Sequence, residues 1–538
     1  MALEVINQKE DKGGEAETSA RMTNADGPMS GLGIRRSYEQ KCLPSGGTVD
    51  YLTENVKRIT VAVVVVMSVS LLASAGGGAQ AGATRPLSAP VFKGSTTIKG
   101  KQGTPLVHTV KATANPVASI SVVGALPPGV SFQADDATGT ATLTDPTPLG
   151  GSYPVTLQAA NSQGTTTLDA TLSVTSKLPL IRHVFVIMAE NEGYEDTFGG
   201  ANTYLSNTLP SQGAMLTNYY GVGHFSNDNY TGFISGQPPT ADNQVDCLAS
   251  GFVDFPVGDG LDVNGIQQGN GCVYPTDVPT LANQLDADGL TWKGYEEDMG
   301  NVPTRESANC GHPTVGSSDG TAVAVAGDGY ASRHDPFVYF HSIIDNTTEC
   351  NQNVVPLGDT SGNLPAGVLP GTTGLVTDLQ SVATTPNFSF ITPNLCDDGH
   401  DYPCVNETSP DTSDVNDISD WLQTWIPIIE ASPAYQQNGL IEVTFDESDF
   451  SGPTAYSACC GETPGPAANA GGNGISGPGG GQIGTILISP SITPGLVVTK
   501  TSYNHYSSLA SIEDLFGLPR LGEAKTVTTT FDKRIYTK

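Results

Sequence analysis

Four strand-length segments of the chain are apolar almost without a break: residues 181–188 (IRHVFVIM), 388–392 (FSFIT), 440–445 (LIEVTF) and 484–489 (GTILIS). A strand with one wet face alternates apolar and polar side chains, so runs without alternation are strands covered on both faces, as in a parallel sheet. Helical candidates at 278–289, 415–431 and 507–516 fall among them, the last two with apolar residues at helical spacing. Strands alternating with helices predict an α/β fold with a mostly parallel central sheet.

The 90 residues before this region have a different texture. Between 84 and 176, short runs rich in Val, Thr and Ile (LVHTVKAT, ASISVVG, GTATLT, TTTLDATLSV) are separated by turn signals, which predicts an all-β sandwich. The run GALPPGVSF followed by GTATLTDPTPLGGSYPVTLQAANSQG resembles the bacterial immunoglobulin-like modules that accompany secreted enzymes. It carries no catalytic cluster, so its expected role is that of a spacer, or of a weak contact with a cell surface or polysaccharide. The segment around Ser176–Pro179 reads as the linker, and 178–538 as the catalytic domain.

Residues 56–81 have the layout of a secretory signal peptide: Lys57 and Arg58, an apolar run from Val61 to Ala73, then small residues. That run is short against the ~20 residues that span a bilayer, so the expectation is cleavage, export and no lasting membrane insertion. The polar residues 1–55 are expected to lie outside the fold, and initiation at Val56 from a non-AUG codon is one explanation for them. Eight cysteines follow the signal, an even number that in an exported chain implies disulfides. Near neighbours, Cys247 with Cys272 and Cys396 with Cys404, are the preferred pairs. No C-x-x-C pair supports zinc.

Beyond residue 81 the chain holds 46 acidic and 16 basic residues, a net charge of −30. Phosphate-backbone binding depends on clustered Lys and Arg, and none cluster here, so nucleic acid is excluded as a partner.

Three of the four apolar strands end in acidic or amide residues: Ala189-Glu190-Asn191, Asp446-Glu447-Ser448-Asp449, and Asn394 through Asp397-Asp398-Gly399-His400-Asp401. Open α/β sheets place their sites at the carboxyl ends of strands. Carboxylates, amides and histidines gathered there are ligands for a divalent cation. The plainer alternative is that each cluster only solvates a loop end.

HVFVIMAENEGYEDTFGG resembles the opening motif of the phosphoesterase family that contains secreted acid phosphatases and phosphatidylcholine-type phospholipases C, relatives of the alkaline phosphatase superfamily. Further matches follow in the family's order: NYYGVGHFSNDNYTGFISGQ, LTWKGYEEDM, RHDPFVYF, FITPNLCDDGHD, IEVTFDESD and YNHYSSLASIEDLFGLPRLGEA. They span about 181–524. The resemblance implies an alkaline phosphatase-like domain in which Glu190, Asn191, Asp446 and Glu447, with Ser226, hold a divalent metal ion. Ser226 takes the place of the nucleophile and Asn229 that of a phosphoryl contact. His334 and His400 match histidines that line the phosphate pocket. His505, before a helix, either contacts phosphate or supports the ligands from behind, or else caps its helix or is packed in the core. Ser226 and Tyr230 stand where phospholipase-type members tend to carry Thr and Arg, which favours the acid phosphatase branch.

The residue types suit the chemistry, because a serine hydroxyl becomes a competent nucleophile when a metal lowers its pKa, and donors aimed at the phosphoryl oxygens stabilise the charge that develops. The implied activity is hydrolysis of phosphate monoesters. Phospholipase C-like cleavage of phosphodiesters and a non-catalytic surface protein are the alternatives. A Ser-His-Asp hydrolase is disfavoured, since Gly232-Phe233-Ile234-Ser235-Gly236 lacks the G-x-S-x-G spacing. No P-loop is present either, because GGGQIGTILIS has no Gly-Lys-Ser/Thr ending. His224 is expected to orient its loop, Asp398 and Asp401 to be solvated or to orient His400, and Trp292, Tyr295 and Glu296 to form core and pocket wall.

Overall fold

The computed structural model describes residues 85–200, 203–401, 403–405, 414–466 and 478–538. The proposed leader at 56–81 and the extension before it lie outside the described residues.

The early Val/Thr-rich runs form two four-stranded sheets. Ser88–Lys93, Leu106–Asn115, Thr140–Asp145 and Ser131–Asp135 lie side by side in one, and Thr97–Lys101, Gly164–Thr175, Gly151–Asn161 and Ser119–Val123 in the other. Alternation decides which face turns inward: Val155, Leu157 and Ala159 from one strand and Ala170, Leu172 and Val174 from its neighbour are buried, with Ile98, Val110 and Leu143 completing a shared core. This part and the α/β part belong to one unit, Ala81–Lys538. At their seam Gln102 Nε2 donates to the carbonyls of Asp514 and Leu515, at 2.7 and 2.8 Å, and Thr147 Oγ1 donates to both carboxylate oxygens of Asp288 at 2.7 Å.

The central sheet has eight strands: β1 (Val184–Ala189), β2 (Ala214–Leu216), β3 (Trp292–Glu296), β4 (Val354–Pro356), β5 (Phe388–Thr392), β6 (Leu440–Phe445), β7 (Thr485–Ile488) and β8 (Leu496–Val498). Their order is β4-β3-β5-β1-β6-β7-β2-β8. Every residue of β1, β5, β6 and β7 is buried, so the unbroken apolar runs are two-faced core strands. Truncating one of them, for instance Ile187→Ala, should cost about 2–5 kcal/mol. The pairs β4/β3, β3/β5, β5/β1 and β1/β6 are parallel. Residues 484–489 are the exception to the parallel expectation, since β7 runs antiparallel to both β6 and β2. This is also the one apolar run that does not end in acidic residues, because its carboxyl end points to the opposite edge.

Four helices matter for the site: α1 (Ser226–Ser235), α2 (Leu281–Ala287), α3 (Asp414–Glu430) and α4 (His505–Phe516). Helix α3 buries Val415, Ile418, Leu422, Trp425, Ile426 and Ile429, the 3.6-residue pattern of a helix laid on a core. Thr280 and Asn504 cap α2 and α4 in reciprocal capping boxes, which place their first turns two or three residues from the positions expected. No helix among the described residues is long and apolar enough to cross a membrane.

All eight cysteines beyond residue 81 pair. The bridges are Cys247–Cys272 and Cys396–Cys404, as expected, together with Cys310–Cys350 and the adjacent pair Cys459–Cys460.

Candidate active site

Strands β5, β1 and β6 are neighbours and parallel, so their carboxyl ends meet at one edge. The register sets Phe445 opposite Ala189, which brings Asp446 and Glu447 beside Glu190 and Asn191. The backbone N–H of Asn191, whose φ is +51°, donates to Asp446 Oδ1 at 2.9 Å, and Asn191 Nδ2 donates to Glu190 Oε2 at 2.8 Å.

The loop that delivers Ser226 is tightly constrained. A Cβ on Gly221 would stand 2.7 Å from the Asp446 carbonyl oxygen, so the chain passes this strand end as only glycine can. Phe225, immediately before α1, has φ +69° and ψ 159°, a region that costs non-glycine residues about 1–3 kcal/mol. Its N–H donates to Glu447 Oε1 at 2.9 Å and its carbonyl accepts from Asn229 Nδ2 at 3.0 Å. The kink turns Ser226, the first residue of α1, toward β1, where Oγ donates to Glu190 Oε2 at 2.8 Å.

His334 Nε2 lies 3.3 Å from Glu190 Oε1, and its Nδ1 lies 3.7 Å from Asp398 Oδ2. Asp398 is wholly buried, not solvated, and accepts from the His400 N–H at 3.1 Å. His400 itself stands half-exposed at the rim, 3.5 Å from Asp401. His224 Nε2 donates to the Ala455 carbonyl at 2.6 Å and its Nδ1 meets Glu447 Oε2, so this histidine orients the loop and holds Glu447.

Asn229 and His505 have their polar atoms engaged within the protein. Asn229 donates to the carbonyls of Gly223 and Phe225 and accepts from the N–H groups of Val222 and Gly223, which occupies its amide in bracing the kink. His505 is completely buried, with Nε2 donating to the Asp446 carbonyl at 2.6 Å and Nδ1 3.2 Å from the Tyr219 hydroxyl. It sits behind the strand end. Trp292 and Tyr295 are buried in β3, with the Tyr295 hydroxyl donating to Asp378.

Three residues escaped the sequence reading. Asn227 Oδ1 is buried without a partner beside Ser226. Asp246 accepts from the Asn227 N–H at 2.9 Å and lies 3.5 Å from Arg333 Nε, and Arg333 is buried. Arg333 directly precedes His334 in the RHDPF motif, which is the signal that would have found it. Asp246 reaches the site across 20 residues with no local signal.

Burial pushes the carboxyls of Glu190, Asp228, Asp398, Asp446 and Glu447 well above the usual carboxylate range, and their mutual repulsion adds to it, Asp446 acting on Glu190 and Glu447 on Asp446. Burial and the Arg333 charge push His334 well below the usual imidazole value. Asp228 Oδ2 and Asp446 Oδ2 are buried without a hydrogen-bond partner, and Glu190 Oε1, Asp398 Oδ2 and Glu447 Oε2 have only the imidazole nitrogens of His334 and His224 beside them. Unpaired buried carboxylate oxygens facing one another are a costly arrangement that a cation relieves, and on that ground the donor set fits a divalent metal. Among the described residues no group of three or more His, Cys, Asp or Glu side chains is placed to hold a metal ion by itself. Glu190 is hydrogen-bonded to Ser226 and Asn191, and those two residues complete the oxygen donors.

Residues 201–519 match the Phosphoesterase family; this stretch includes Ser226, His334, His400, Asp446 and Glu447, while Glu190 and Asn191 precede it. The chain is 26% identical over 340 residues to an acid phosphatase of Aspergillus fumigatus, covering 63% of this chain and 55% of that protein. It is 23% identical over 343 residues to a probable acid phosphatase of Kluyveromyces lactis, covering 63% and 59%. A phosphatidylinositol-3-phosphatase of Mycobacterium tuberculosis is 23% identical over 349 residues, covering 65% and 81%. The chain thus spans little more than half the length of the two fungal relatives. With a matched stretch that covers more than half of the sequence and runs through three of the strand and helix ends forming the site, the chain belongs to the Phosphoesterase family.

Proposed function

We propose that this chain is an exported, metal-dependent phosphoesterase that hydrolyses phosphate monoesters through Ser226. The observation that carries the reading is the Ser226 hydroxyl, set on a kinked helix start and bonded to Glu190 within a buried carboxylate cluster in which Asp446 Oδ2 has no partner. Glu190, Asn191, Asp446 and Glu447, with Ser226, would hold the divalent cation. When bound it would lower the serine pKa and neutralise phosphoryl charge.

The chain's own residues supply the rest. Ser226 Oγ releases its proton toward Glu190 Oε2 and attacks phosphorus, giving a phosphoseryl intermediate and the alcohol. Arg333 takes a phosphoryl contact, and Asn227 joins it through Nδ2 once that group leaves the Arg333 carbonyl, 3.4 Å away. His334, held by Asp398 and Tyr230, donates to a phosphoryl oxygen. His400 at the open rim protonates the leaving oxygen and later accepts a proton from the water that cleaves the phosphoserine. Four disulfides support export, because such bonds persist in oxidising compartments. The sandwich is read as an immunoglobulin-like spacer. The acid phosphatase relatives support a monoester, and the mycobacterial relative brings lipid-borne phosphate within the same class.

The test is p-nitrophenyl phosphate hydrolysis by wild type and Ser226→Ala, after chelation and after each divalent metal is restored. Turnover by wild type only with metal, and none by the variant, is the expected result. Silence with every metal, or metal-independent turnover, overturns the reading.

A further inference from the structure

Glu442 lies in the middle of β6, a strand otherwise filled with Leu, Ile, Val, Thr and Phe, and is completely buried. Its Oε1 meets Ser508 Oγ, its Oε2 has no partner, and no step of the proposed reaction uses it. Ser508 Oγ is 2.6 Å from the Tyr219 hydroxyl, which is 3.2 Å from His505 Nδ1, and His505 Nε2 is 2.6 Å from the Asp446 carbonyl oxygen. All four side chains are buried at 0% exposure. A continuous line of hydrogen bonds therefore leaves the middle of β6, crosses α4 and Tyr219, and returns to the end of the same strand.

Counting hydrogens fixes its direction. The Asp446 carbonyl can only accept, so His505 Nε2 carries a hydrogen. If Glu442 is ionised, Ser508 must donate to it and Tyr219 to Ser508. His505 then either carries a second hydrogen on Nδ1, which puts an imidazolium and a carboxylate with an orphan oxygen in a dry core, or keeps Nδ1 bare with no donor, since the Tyr219 hydroxyl is already donating to Ser508 and has Thr444 as its other partner. If Glu442 is the acid, it donates to Ser508, Ser508 to Tyr219, Tyr219 to Nδ1, and Nε2 to Asp446. Each group then has its ordinary neutral complement of hydrogens, and no charge is buried. Burial, only partly opposed by Ser508, raises Glu442 to about 8, in keeping with the second arrangement.

We propose that Glu442, Ser508, Tyr219 and His505 form one unidirectional hydrogen-bonded chain, from a protonated Glu442 to the Asp446 carbonyl, that holds Asp446 in place for the divalent cation. All four are positioning residues. Their effect on the metal rests on the function proposed above, whereas the chain's direction does not.

Nitrogen-15 NMR of the full chain with labelled histidine, assigned by difference against His505→Gln, reads the direction. The expected signature is a neutral His505 with hydrogen on Nε2 and a bare Nδ1 at pH 7; an imidazolium or an Nδ1–H tautomer overturns the proposal. Mn²⁺ titration, without substrate, reads the consequence. Tyr219→Phe, Ser508→Ala and Glu442→Met should each weaken Mn²⁺ binding roughly tenfold, the range found when support of a ligand is removed. Glu442→Gln should stay within about twofold, because its amide N–H donates to Ser508 as the acid does. Wild-type affinity in Tyr219→Phe, or equal loss in Gln and Met, overturns it. Thermal midpoints check that each variant is folded, and where one is not, the wild-type tautomer still decides. A wild type that binds no Mn²⁺ and hydrolyses nothing refutes the phosphoesterase reading and the cation role together, while a His505 of the expected tautomer keeps the chain itself.

Discussion

Tyr230 lies flat on His334, with ring centroids 5.1 Å apart and planes 7° from parallel, and both rings are buried. The stack fixes the imidazole plane, so His334 presents Nε2 to Glu190 without rotating. Tyr230→Phe should keep the stack, and kcat on p-nitrophenyl phosphate should stay within about threefold. Tyr230→Ala removes a buried ring and should cost about 3–5 kcal/mol of stability in urea unfolding, with a much larger fall in kcat.

Asn229 and Asn227 sit two residues apart with opposite duties. Asn229→Ala leaves the buried N–H groups of Val222 and Gly223 without their side-chain acceptor and loosens the Phe225 kink. The expected loss is about 2–4 kcal/mol of stability. Asn227→Ala should change the unfolding midpoint little and lower kcat/KM tenfold or more. Steady-state kinetics beside urea unfolding separates the two.

Asp145, at the seam with Asp288, has its carboxyl pushed up to about 6, first by burial and then by the Asp288 charge, against a hydrogen bond from the Thr147 N–H. An acid whose folded pKa is raised binds more protons folded than unfolded between about pH 4 and 6. Its contribution is therefore fully present at low pH and lost as the pH rises through that window. Asp145→Asn should raise stability at pH 7 relative to pH 4, by about 1 kcal/mol once solvent screening at the seam is allowed for. Unfolding midpoints at the two pH values check this.

Cys310 and Cys350 close a loop of 40 residues. Chain-entropy arguments assign about 4 kcal/mol to a loop of this length. The double Cys→Ser variant should therefore melt well below the wild type by calorimetry. A variant that melts with the wild type refutes a bridge between these two cysteines.

How much of this was legible in the sequence depends on how far each determinant reaches. The core strands were legible because burial on both faces removes alternation, a property of six consecutive side chains. That β5, β1 and β6 lie side by side was not, although their acidic ends hinted at a shared edge. The direction of β7 depends on the connection that precedes it, and its side chains read the same either way. How the Asn229 amide is used was not legible for a similar reason: it braces a kink that depends on the positive φ of Phe225, a residue type that gives no warning of it. Asp398 looked like a loop carboxylate, and only the packing of His334 against it explains its burial.

The reversal of β7 has a consequence for how such a site can diversify. Because β7 returns beside β6, the segment between Glu447 and Thr485 starts and finishes at the same edge of the sheet. Ser448 N–H donates to the Gly480 carbonyl at 2.8 Å, and Gly481 N–H to that of Ser457 at 3.0 Å, so both stems are stitched near the strand ends. A segment anchored in this way can be lengthened, shortened or recomposed without rethreading a single core strand. Descendants of one scaffold could then acquire new rims, and with them new clientele, while the floor beneath Ser226 is inherited unchanged.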